Sequence, residues 1–139
     1  MTSNPKTFHI SNDVDLGLAW EQLMGPHGYD QRSLWLLFLD GEGRTLPAII
    51  PISDLPPVPG EDLLASLGSV LQGVTTSTEA VSVAMLLSRP GNDVVTDSDR
   101  RWARALLNTV PSPQRTGCIH LATAGRVRAL AADDLFEAA

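Results

Sequence analysis

The chain predicts a single α/β domain of the α+β layered kind, a mixed β-sheet flanked by helices. Three observations carry this reading. Apolar runs of strand length, such as "LWLLFLD" (34–40) and "VSVAMLL" (81–87), alternate with segments of helical period. The 139 residues, with 43% hydrophobic and 19% charged side chains, match one ordinary domain with a real core. No repeat, low-complexity tract or second domain interrupts the alternation.

Taken in order, Thr7–Ile10 reads as a short strand. Asn12 or Asp13 then caps a helix carrying Leu16, Ala19, Trp20 and Leu23 at helical spacing, with Gly25-Pro26 as its stop. Residues 34–40 and 44–52 form a hairpin around Gly41-Glu42-Gly43, and Pro47 and Pro51 place the second arm at an edge. "PPVP" (56–59) reads as a rigid connector. Leu63, Leu64, Leu67, Val70 and Leu71 make one helical stripe over 61–72, ended by Gly73, with "TTSTEA" (75–80) as a loop. Residues 81–87 are a buried strand by content. Asp99 to Thr109 is a helix with Trp102, Leu106 and Val110 on one side, and Thr96 or Ser98 serves as its cap. "PSPQRTG" is a turn, "CIHLAT" and "RVRALA" are short strands joined by Ala124-Gly125, and Asp133 and Asp134 begin a last helical turn.

Bulk properties narrow the function. One cysteine, Cys118, excludes an internal disulfide and suits a reducing, cytoplasmic setting. Lying in an apolar run, it reads as inert and buried. No apolar run reaches the ~18 residues that cross a membrane, and the N-terminus lacks a secretion signal. The net charge is −6, and residues 85–139 carry 7 basic against 6 acidic side chains, so no net basic face points to nucleic acid. The histidines His9, His27 and His120 have no metal-ligand spacing. "GEGR" (41–44) is a hairpin turn rather than a phosphate loop, and the three tryptophans read as core.

The order from the hairpin "LWLLFLDGEGRTL" through a helix, a buried strand into "RPG", "TDSD" opening a helix, and "CIHLATAGRVRALA" resembles the RadC-like branch of the JAB/MPN (JAMM) metalloprotease-type fold. The resemblance covers about 33–131, leaving 1–32 as an N-terminal strand and helix extension of the single domain 1–139. It implies a cytidine-deaminase-like architecture. It also implies a site built on His-x-His-Pro followed by Ser-x-x-Asp, where two histidines and the aspartate hold zinc. Here Pro90 matches the motif proline, Thr96 stands at the serine and Asp99 at the ligand aspartate. Leu87 and Arg89 stand where the two histidines belong. Leucine has no lone pair to give and a guanidinium is permanently cationic, so the chain is expected to hold no metal and no cofactor.

The candidate site is therefore degenerate: Leu87, Ser88, Arg89, Pro90, Thr96 and Asp99. Arg89 and Asp99 are expected to meet as a structural ion pair where strand end and helix start converge. The reading leans against an enzyme and toward an interaction or scaffold module, with a protein partner or self-association such as a homodimer. The alternative is an enzyme or small-anion-binding protein reusing the metal-free cleft around Arg89, Thr96 and Asp99. A Ser88–His120–Asp99 nucleophilic set can be drawn on paper, but no nucleophile elbow supports it.

Overall fold

A computed structural model describes residues 7–24, 31–111, 114–124 and 126–135 of the chain. The elements are α1 (Asp13–Met24), β1 (Ser33–Leu39), β2 (Thr45–Ile52), α2 (Glu61–Ser77), β3 (Ser82–Arg89), α3 (Asp97–Thr109), β4 (His120–Thr123), β5 (Arg126–Ala129) and a 3-10 turn at Ala132–Leu135. They build one mixed five-stranded sheet in the order β2-β1-β3-β4-β5. β3 and β4 run parallel, and every other neighbouring pair is antiparallel.

Period-two alternation divides the sheet into two apolar faces. Leu34, Leu36 and Phe38 of β1, Val83, Met85 and Leu87 of β3 and Leu121 of β4 pack with Leu67 and Leu71 of α2 and Trp102, Ala103 and Leu106 of α3. The intervening residues, Leu37 and Leu39, Ala84 and Leu86, and Ala122, pack with Leu16, Ala19, Trp20 and Met24 of α1. A sheet covered on both sides explains why β1 and β3 read as continuous apolar runs rather than as alternating ones.

Asn12 caps α1, its side-chain oxygen accepting from the Asp15 N–H at 2.9 Å. The expected stop at Gly25-Pro26 lies outside the described residues. α2 does not end at Gly73 as its glycine suggests but runs through to Ser77. Val74 packs against the core and carries residues that read as loop into the helix, where the hydroxyls of Thr75, Thr76 and Thr78 donate back to the carbonyls of Leu71, Gln72 and Val74. Val70, on the apolar stripe, is 42% exposed.

The hairpin turn is held by Asp40, whose carboxylate accepts from the N–H groups of Glu42 and Arg44. Gly43 there has φ +82°, a conformation open chiefly to glycine. β2 is the edge strand that its prolines require, and Pro47 falls where the β1–β2 register shifts. Residues 7–10 contribute a single bridge, His9 to Arg44, rather than a full strand. The segment read as a turn before β4 lies partly along β3: the Val83 N–H donates to the Gln114 carbonyl, and the Thr116 N–H to the Val83 carbonyl.

Candidate functional site

The six candidate residues do not form one cluster, because the sheet separates them. Leu87 lies on the α3 side of β3, fully buried among core residues. Arg89, two positions on, reaches Asp99 of α3 on that same side. Ser88, between them, turns to the α1 side and accepts the indole N–H of Trp35 at 2.8 Å. His120 pairs in register with Leu86 and lies on the same α1 side, so Ser88 and His120 are across the sheet from Asp99. The nucleophilic set drawn from these three cannot assemble.

Asp99 is fully buried, and its position is set by the start of α3. Thr96 is the helix cap: its side-chain oxygen accepts from the Asp99 N–H at 3.1 Å. The Asp99 carboxylate accepts in turn from the Thr96 N–H at 2.9 Å, closing a capping box. Ser98, the other candidate cap, donates to the Pro57 carbonyl instead. The neighbouring Pro56 carbonyl accepts the Trp102 indole at 2.8 Å, so the proline-rich connector is fastened to α3 at two points.

The remaining oxygen valences of Asp99 go to two arginines. Arg89 Nε lies 2.9 Å from Oδ1 and Arg89 Nη2 lies 2.8 Å from Oδ2, a bidentate pair. Arg32, just before β1, donates from Nη1 to Oδ1 at 2.9 Å. Burial alone raises the Asp99 carboxyl, but hydrogen bonds from Arg89, from the Thr96 amide and from Arg32 outweigh it and hold the carboxyl below its ordinary value. Sequence reading missed Arg32. It lies in a loop 67 positions before Asp99, with no motif around it.

Arg89 is as fully engaged as its partner. Beyond Asp99, Nη1 donates to the carbonyls of Pro90 (3.0 Å) and Asn92 (2.8 Å), and Nη2 to that of Val94 (2.9 Å). A guanidinium has five N–H groups, and these contacts use all of them. The loop from Pro90 to Val94 wraps the guanidinium in backbone carbonyls. Gly91, at φ +99°, makes the wrap feasible, since a Cβ there would come within 3.3 Å of Arg89 Nη1. Pro90 itself is exposed and shapes only this turn.

These residues do not fit a zinc ion. The positions resembling ligand histidines carry a leucine and an arginine, and the one carboxylate is saturated by cationic donors. Among the described residues, no group of three or more His, Cys, Asp or Glu is placed to hold a metal ion. The same saturation counts against an anion at Arg89, since no N–H is left to bind one.

A second polar cluster lies on the α1 side. The Asp13 carboxylate accepts from the Cys118 amide at 2.8 Å and from its thiol at 3.2 Å. Partial burial and this carboxylate push the Cys118 thiol up to about 11, so it stays protonated and unreactive. Cys118 is half-buried rather than fully buried and precedes β4 instead of starting it, because Asp13 captures its amide. His120 donates its Nδ1–H to the Cys118 carbonyl at 3.1 Å. Burial lowers its pKa against the pull of the Cys118 carbonyl and of Asp13.

No helix among the described residues is long and apolar enough to cross a membrane. No family model matches the chain, and no curated protein matches its sequence.

Proposed function

We propose that the chain is a non-catalytic, RadC/JAB-like domain that works in the cytoplasm by binding or assembly, as an interaction or scaffold module. One observation supports the reading: Arg89 and Asp99, which align with a ligand histidine and the ligand aspartate of the resembled motif, meet as an ion pair locked by Arg32 and Thr96. Positions 87 and 89 share one face of β3, and Asp99 approaches that face from α3. A His-x-His pair and a helix-borne aspartate need this convergence. The frame thus supports the resemblance, while the side chains within it replace metal coordination by an internal salt network.

The test is elemental analysis of purified protein, joined to a thermal-shift screen with zinc and with inorganic phosphate. The expected result is no stoichiometric zinc and no shift with either addition, since a ligand that binds only the folded state raises the melting temperature. Stoichiometric zinc overturns the reading. A phosphate shift abolished by Arg89→Leu would favour the anion-binding alternative instead.

A further inference from the structure

We propose that the outer edge of β5 takes up an extended segment of a partner protein, alternating apolar and acidic residues, as a sixth strand. β5 ends the sheet, and no described residue pairs with its far side. The Leu130 N–H donates to the Ile119 carbonyl at 2.9 Å, which fixes the phase of the β4–β5 ladder. In that phase Arg126 and Arg128 turn their backbone groups toward β4, and Val127 and Ala129 present theirs outward. The other edge of the sheet is defended. β2 carries Pro47, Pro51 and a register shift, and the Phe8–Ile10 backbone bonds to its start.

The side chains around β5 specify the incoming strand. On the α1 side, Val127 and Ala129 floor an open groove of about 300 Å³. Its helical wall presents Val14, 71% exposed, and Leu18, 54% exposed. Asp13 and Glu21 bracket that wall, so the groove favours apolar side chains and repels acidic ones. On the opposite side of the strand Arg126 is exposed, while Arg128, 37% exposed, already donates to the Asp134 carboxylate and to the Asp93 carbonyl. Residues directly opposed across a ladder share a face and interact. A strand with apolar residues toward α1 and a carboxylate opposite Arg126 therefore matches both faces. A second copy matches less well: antiparallel self-pairing centred on Val127 or on Arg128 sets Arg126 against Arg128 or Arg128 against itself, and like charges so placed repel.

The inference stands on the sheet edge and not on the zinc question, so stoichiometric zinc would overturn the earlier reading and leave this one intact. The probes are two labelled peptides, one alternating valine and glutamate, the other valine and lysine, followed by fluorescence anisotropy on the full chain. The glutamate peptide is expected to bind saturably, more weakly as salt rises, and better than the lysine peptide by about fivefold or more. Arg126→Glu is expected to reverse that order, an outcome that unfolding cannot imitate. Leu18→Glu, on an exposed helical position, is expected to weaken the glutamate peptide with the melting temperature unchanged. No saturable binding, or an order that Arg126→Glu leaves as it was, overturns the proposal. So does a dimer in sedimentation that Leu18→Glu abolishes, since the occupant would then be a second copy.

Discussion

Arg89 and Asp99 face each other as a two-point ion pair, Nε to Oδ1 at 2.9 Å and Nη2 to Oδ2 at 2.8 Å, with the carboxylate fully out of solvent. The pair ties the end of β3 to the first turn of α3, and Arg32 extends it to the entry of β1. Two consecutive elements and a segment 67 positions upstream are therefore registered by one carboxylate.

Asp99→Asn removes the charge and leaves Arg89 buried without its counter-ion. Breaking one side of such a pair costs about 3–5 kcal/mol, read from urea denaturation. Replacing both, as Arg89→Leu with Asp99→Leu, is expected to cost less than the sum of the two single changes, because neither is left uncompensated. Simple addition would show that the two side chains do not act as a unit.

Acid should loosen the same network. The folded Asp99 carboxyl lies below its ordinary value of 3.8, so its contribution is present above that pH. It is lost as the pH falls through the lower folded value. His120 acts earlier, because its folded pKa lies below the ordinary 6.5. As the pH drops under 6.5 the unfolded chain gains a proton that the folded chain refuses, and stability declines. Thermal melts from pH 8 downward are expected to show this first decline in the wild type, and His120→Gln is expected to remove it.

Thr96→Ala deletes the cap and half of the capping box at a cost of about 1 kcal/mol. Thr96→Ser keeps an accepting hydroxyl and should recover most of it. Equal melting temperatures for the two variants would mean that the hydroxyl does not contribute.

Gly117, at φ +70°, has no room for a side chain: a Cβ would come within 2.5 Å of Asp13 Oδ1. Gly117→Ala is expected to displace Asp13 and expose the thiol that Asp13 holds. Cys118 should then alkylate faster with iodoacetamide at pH 8 than in the wild type, where its pKa near 11 keeps the thiolate scarce. Asp13→Asn is expected to speed the reaction as well, by removing the negative charge that raises the thiol. Unchanged rates in both variants would show that Asp13 does not control Cys118.

Much of the architecture was legible along the chain. The stripe of Leu16, Ala19 and Trp20 marks the buried side of α1, and Trp102, Leu106 and Val110 mark that of α3. The prolines of 44–52 announce an edge, and Thr96 with Asp99 three positions on announces a helix start. These are local signals, written by steric preference and by the spacing of neighbouring residues. Where local rules misled, tertiary contacts prevailed: the packing of Val74 against the core carries α2 past Gly73.

The sequence by itself determined the layered α/β class, most elements, and the chemical fact that Leu87 and Arg89 cannot ligate a metal. The pairing of Arg89 with Asp99 could be anticipated from two elements converging. Only the tertiary structure decided that Arg32 joins them, that the loop carbonyls consume every remaining guanidinium N–H, and that Ser88 faces away from its neighbours in the motif. The reason is geometric. A strand sends adjacent side chains to opposite faces, and a loop residue finds its partner through the folding of the whole sheet, which no spacing along the chain records.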